Sequence, residues 1–510
     1  MADYDSLQWR ETGRGVWTRD VDEVEMAYTA LYRQWRGSGR SFFHITGHLS
    51  LKVRVEPGQD RQDVGRRFDV AISRAWTALR LQHPTIASQV KLDPQAKKYV
   101  KTYSANTEGW LDETLKFVST GQTGAEWANS DPPAPALPTF YVVTPPSTDD
   151  EQCIQRDIVF RSPHDTIDGV GTLLLFDNFV RLAADAFAKG DSYNLQHPDE
   201  AQVLERLSPP FRIAAAIPPQ PSEKILQRLE DLAATVEADA LRGAEGVTLP
   251  YRKGAVVPGV HKRVETVLST QETANLIAAC KAVGATITHV VHAAIALALR
   301  DLQPRTATPR PVEYTGYLLR NERPRCNPPF NDHRHAVAVY HSVSSDKLVV
   351  KMTVPSDEEA SSDDAKAQAG RDEFLAIVSQ LRGFYLKVRD DPDHHYLAPL
   401  LWAKGTTALP TDPKEADAVP PVPPPAETAT ATISSMGRLD DMIAQKHGAI
   451  EVYQPWVTGE ELRSSLGLFL GTFRGRLSLS AAYNDAWHDH DDVVKFVRRC
   501  LEIVNTGFGL

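Results

Sequence analysis

Along the 510 residues the spacing of apolar positions changes period repeatedly. In VDEVEMAYTALYRQW, Val21, Val24, Ala27 and Leu31 recur at helical spacing and predict an amphipathic helix. FFHITGHLSLKV, residues 42–53, alternates apolar with polar and reads as a strand. Phe68, Ala71, Ile72, Ala75, Trp76 and Leu79 then share one helical face, which Pro84 terminates. His83, just before that proline, reads as a turn residue. A Pro-rich loop leads into a strand near residues 139–143. CIQRDIVF follows as a strand, RSPHDTIDG as a loop bounded by Pro163 and Gly169, and GVGTLLLFDNFVRLAADAFAK as an amphipathic helix with Leu175, Phe179, Leu182, Ala183 and Phe187 on one side.

Hydrophobic density drops and prolines cluster over residues 190–262, around the charged amphipathic stretch KILQRLEDLAATVEADALR. That marks a boundary. The expected organisation is a first lobe at residues 1–205, an inter-lobe region at 206–262 and a second lobe at 263–510. The second lobe opens with a strand, then a helix started by Ser269 or Thr270 with Glu272 behind it, then the Ala-rich buried helix THVVHAAIALALRD. His289 and His292 in that helix lack a third ligand nearby, and read as packing or polar contacts rather than metal ligands. VEYTGYLLRNERPR reads as a strand and polar turn, HAVAVYHSVSS and LVVKMTV as strands, and SDEEASSDDAKAQ as the solvated start of a helix that runs over 368–389. Residues 410–432 form a Pro-rich, low-complexity crossover. ISSMG then reads as a strand ending in a Gly turn, and the run from Trp487 to Asp492 as a loop and helix cap. Strands and helices interleave throughout, so the fold class is α/β.

Composition narrows the function. Hydrophobic content of 42% and charged content of 24% suit a globular chain with a large core. A net charge of −10 does not point to nucleic acid or an anionic membrane as partner. Cys153, Cys280, Cys326 and Cys500 are far apart without a C-x-x-C, and are expected to be free thiols in a reducing compartment. The polar, acidic opening MADYDSLQWRE has no secretory character, and no apolar run is long enough to span a bilayer, so a cytosolic location is expected.

The chemistry concentrates in RSPHDTIDG, an H-x-x-x-D-G pattern of His164, Asp168 and Gly169. Imidazole is the side chain whose ordinary pKa lets it take and return a proton near neutrality. Asp168 stands at the mouth of an apolar helix, where it can favour the helix N-terminus or pair with a distant Arg. Gly169 removes a side chain where the backbone turns or meets something closely. An incidental surface turn would carry the same residues, but a loop gripped between a buried strand and a buried helix favours a functional site.

This loop and its helix resemble the active-site segment of the CoA-dependent acyltransferase superfamily, and in particular its fungal trichothecene 15-O-acetyltransferase-like group. The order of segments carries the likeness over most of the chain. Two departures matter. Pro163 replaces the first His of the condensation-domain doublet, and the D-F-G-W-G motif of the plant enzymes is absent. No G-x-S-x-G, Walker A or G-x-G-x-x-G occurs. The resemblance implies two chloramphenicol-acetyltransferase-like lobes, each a mixed β-sheet flanked by helices, with an active-site tunnel between them. It implies His164 as general base, Asp168 in an ion pair with Arg320, and Ser434, Ser435 and Gly437 near the oxyanion or substrate. Acyl-CoA, acetyl-CoA first, would be a co-substrate rather than a bound cofactor. The partner would be a small-molecule alcohol such as a sesquiterpenoid, and the chain is expected to be a monomer. Three other readings stay open: transfer from a carrier-protein thioester, a cyclase or isomerase on the same fold, and a binding protein that has lost catalysis.

Overall fold

A computed structural model describes residues 4–146, 152–357 and 363–510. Helix α1 (Glu23–Trp35) starts with a capping box between Asp22 and Glu25 and buries Val24, Ala27 and Tyr28. Strand β1 (Ile45–Arg54) pairs antiparallel with β2 (Cys153–Ser162) over their whole length, Ile45 opposite Ser162 and Arg54 opposite Cys153. The alternation in β1 predicts one wet face, yet almost every residue of the strand is buried. The reason is a double cover. Helix Arg61–Gln82 and helix α2 (Gly169–Lys189) press Phe68, Ile72, Trp76, Phe176 and Phe179 onto one face. The other face, bearing Thr46, His48 and Ser50, meets the second lobe: His48 stacks on Trp456 at 5.1 Å, and Arg263 caps that indole at 4.3 Å.

Helix α3 (Glu223–Arg242) and helix α4 (His394–Gly405) flank the seam, and α4 packs on α1. Strand β3 (Ala431–Arg438) forms the edge of a four-stranded sheet with Leu466–Phe473, Arg476–Asn484 and His261–Val267. Ile287–Asp301 is buried along its length beneath it. There His292 Nδ1 and Nε2 meet the Tyr385 and Tyr314 hydroxyls at 3.1 and 2.9 Å, which is a packing and polar role.

Strand β4 (Ile450–Gly459) comes late in the chain but pairs with β1, Gly459 opposite Ile45. It completes a six-stranded sheet in the order 446–447, β4, β1, β2, 139–143, 115–118. The later half of the chain therefore donates a strand to the first lobe, and no single cut in the sequence separates the two. The buried Arg161–Glu460 pair at 2.8 Å ties the end of β4 to β2. The Pro-rich crossover is mostly exposed, with one short helix at Pro413–Asp417, and is attached to both sides: Arg36 donates to the Asp417 carbonyl and Tyr251 bonds that of Ala426.

The expected strand at HAVAV is not one; only His341–Val343 is a strand there. The acidic stretch before Asp363 lies mostly outside the described residues, and its helix runs Asp363–Asp390. Cys280, Cys326 and Cys500 are free thiols, each buried. No single helix among the described residues is long and apolar enough to cross a membrane.

The core under β2 is aromatic. Phe140 is fully buried, 4.0 Å from Trp76 and edge-on to Phe179 at 4.8 Å. Phe140→Ala is expected to cost about 3–5 kcal/mol in urea unfolding; a loss under about 1 kcal/mol would show that this layer is not packed as described.

Candidate active site

β2 stops at Ser162 and α2 starts at Gly169, so residues 163–168 bridge a buried strand and a buried helix. Asp168 closes the loop. It is the N-cap of α2, with Oδ1 accepting from Gly171 N–H at 2.7 Å. Arg323 Nη1 donates to both of its oxygens at 2.8 Å, and Oδ2 also accepts from Tyr340 N–H at 2.7 Å. Burial alone would raise the Asp168 pKa, but the Arg323 guanidinium, His341 and the Gly171 N–H together outweigh it and hold the carboxyl below its ordinary value.

Sequence reasoning placed Arg320 opposite Asp168, and the structure corrects this. Arg320 instead pairs with Glu322 at 2.9 Å and reaches the Val388 carbonyl. Arg320 lies in a short strand whose side chains alternate, whereas Arg323 begins the 3-10 turn that swings back to the loop. The residues expected to form a strand after it serve the loop too. Asp168 N–H donates to the Ala338 carbonyl at 3.2 Å, and Arg323 Nη2 donates to Ala336 and Ala338. Their carbonyls satisfy the site rather than a sheet.

Glycines set how closely these pieces approach. A Cβ on Gly171 would lie 2.3 Å from the Ala336 carbonyl oxygen, so that position excludes any side chain. A Cβ on Gly169 would meet the Met436 methyl at 2.8 Å, a flexible neighbour and a looser restriction.

His164 is half-buried. The Tyr28 ring stacks on it at 3.8 Å and 7°. Tyr28 Oη hydrogen-bonds His341 Nε2 at 2.9 Å, and the His341 ring stands 5.4 Å from that of His164. His164 Nδ1 is buried without a partner. The ring is not sealed off, because His164 as a whole keeps part of its surface exposed, so a substrate can meet it. Burial first, and His341 second, push the His164 pKa down to about 3. The ring is therefore neutral, and able to accept a proton, across the ordinary pH range.

A buried charge network supports the loop from below. Glu25 takes two 2.7 Å bonds from Arg19 and one of 2.8 Å from Lys101, and Lys101 Nζ also donates to the Asp165 carbonyl at 2.6 Å. Glu25 belongs to α1, so the same network fixes Tyr28 relative to His164.

The end of β3 approaches from the other lobe. A bulge at Met436 breaks its register between Ser435 and Gly437 and aims Met436 at Gly169. Ser435 Oγ bonds Thr288 Oγ1 at 2.8 Å and is exposed; Ser434 is half-buried; Gly437 has φ of 71°. Met436, between the expected Ser435 and Gly437, is what touches the motif. Tyr28, His341 and Arg323 were also missed. Tyr28 sits within the apolar stripe of α1, where an aromatic reads as core.

No family model matches the chain. It is 25% identical over 507 residues to O-acetyltransferase pigM of Monascus ruber, covering 97% of this chain and 87% of that protein. Acetyltransferase pigO of the same organism is 23% identical over 507 residues, covering 99% of both. The solved structure of the TRI3 trichothecene 15-O-acetyltransferase from Fusarium sporotrichioides superposes with a TM-score of 0.73 at 16% identity, over 99% of both chains. The protein is a relative of the fungal acetyltransferases. This acyltransferase has their two-lobed mixed α/β fold, shared also with peptide-synthetase condensation domains such as the first of the CDA synthetase, at a TM-score of 0.58 and 15% identity.

A double-mutant cycle tests the anchor. Asp168→Asn and Arg323→Ala should each cost about 3–5 kcal/mol and couple strongly. Asp168→Asn with Arg320→Ala should be additive within about 0.5 kcal/mol. Coupling to Arg320 instead would contradict the pairing.

Proposed function

We propose that this enzyme moves an acetyl or other short acyl group from acyl-CoA to a hydroxyl of a small secondary metabolite, with His164 as general base. The observation that carries this reading is a neutral, half-exposed imidazole held in a loop between a buried strand and a buried helix. The O-acetyltransferase pigM and the trichothecene 15-O-acetyltransferase TRI3 support the O-acetyl chemistry, and TRI3 supports a sesquiterpenoid-like alcohol as acceptor.

The steps balance on one imidazole. Nε2 takes the hydroxyl proton as the oxygen attacks the thioester carbonyl, and a C–O bond forms. The tetrahedral oxyanion collapses, the C–S bond breaks, and the imidazolium returns the proton to the thiolate. Ester and free CoA thiol result. Ser434, Ser435 and Gly437 flank Met436, which contacts Gly169, and that adjacency in the chain supports assigning them to the oxyanion or substrate. Asp168 and Gly169 act through the shape of the loop. A low proton affinity weakens the base, but it also means that the base form is not lost to solvent protons.

His164→Ala should fold with an unchanged Tm and lose about 10²–10⁴ in kcat, because it removes general-base catalysis. Acetyl transfer from acetyl-CoA to a terpenoid alcohol, followed by product mass, is the assay. A His164→Ala variant that turned over at the wild-type rate would sink the mechanism.

A further inference from the structure

Helix α3 presents Leu229, Leu232 and Val236 at helical spacing, the stripe of a core-facing helix. Ile225 is nevertheless its only buried residue, and Val236 remains 54% exposed. Beneath the stripe lies a cavity of about 620 Å³, the size of a small-molecule site. Its other walls include Ala27 and Leu31 of α1 and Trp402 of α4. No carboxylate lines it, and its charged members are Lys404 and Arg463, both exposed.

The chamber adjoins the site through aromatic rings. Trp402 stands 5.8 Å from Tyr28 and 5.7 Å from His341, and Tyr28 lies on His164. His164 is not among the residues that line the chamber. α3 is held at its flanks by ion pairs: Lys224 with Asp393 at 2.5 Å, Arg228 with Asp391 at 2.8 Å, and Asp239 with Lys347 at 2.8 Å.

We propose that this chamber under α3 seats an apolar hydrocarbon group of the substrate, whose reactive end passes Trp402 to reach His164. The proposal rests on the acyl-transfer reading. A helix with an apolar face above an open, carboxylate-free space is best completed by a hydrocarbon. Two sources share that chemistry: the acyl chain of the donor thioester and the body of the acceptor alcohol.

Calorimetric titration with 1-decanol, octanoyl-CoA and acetyl-CoA separates them. At least one of the first two should bind wild type and His164→Ala alike. Ala233→Trp, which fills the chamber from α3, should weaken that binding by about tenfold or more at unchanged Tm, as expected for one pocket group. Leu232→Asp, on the same face, gives the second reading should the tryptophan disturb folding. A tenfold preference for octanoyl-CoA over acetyl-CoA, lost in these variants, assigns the chamber to the acyl chain; a response with decanol alone assigns it to the acceptor. Binding of neither ligand, or binding that both folded variants leave unchanged, overturns the proposal. Chamber binding without acetyl transfer to any alcohol would keep the chamber and remove the acyl-transfer reading. Transfer without chamber binding would do the reverse.

Discussion

Asp168 joins three parts of the chain at one buried carboxylate. It caps α2, takes Arg323 from the second half of the sequence, and receives the Tyr340 backbone, so loop, helix and crossing segment share one anchor. Desolvating such a pair is costly, and its attraction offsets that cost only when every lone pair is used. Here both oxygens are saturated. The pair thus contributes less to net stability than to uniqueness of position, because losing either partner strands a buried charge. Its carboxylate stays ionised above its depressed pKa, so this contribution is present at neutral pH and is lost as pH falls through that pKa.

His164 inherits its properties from that anchored loop. The six-stranded sheet and α2 fix the ends of the loop, Lys101 holds its middle, and Tyr28 covers one face of the ring. What remains is a neutral imidazole that is still half exposed. Burial that makes it a weak base also excludes water, and exclusion of water strengthens whatever dipoles meet a developing oxyanion. The strand donation that places β4 beside β1 makes this seam a structural necessity. Ile450, Val452 and Val457 of β4 belong to the core of the first lobe, which is incomplete without them.

Much of the fold was legible, because most segments keep a clear period. The H-x-x-x-D-G loop was readable because two breakers, a histidine and an aspartate fall between a strand and a helix. The misreadings have physical causes. HAVAV has the apolar run of a strand, but its carbonyls are consumed by Arg323 and the Asp168 amide. Arg320 and Arg323 lie in one short polar string, and which of them reaches Asp168 depends on a 3-10 turn that no periodicity reveals. Tyr28 and His341 come from segments 313 residues apart and carry no motif at all. Met436 is aimed by a bulge, and one extra residue in a ladder leaves no mark in the sequence.

Whether a neutral His164 performs the proton transfer is read most directly from the pH dependence of kcat/KM, which reports the free enzyme's essential base. Because the ring stays neutral down to about 3, the rate should hold level from pH 8 to about 5 with no step near the ordinary imidazole pKa. Half the rate lost near pH 6.5, in step with an ordinary exposed imidazole, would contradict the buried seat on which the mechanism depends.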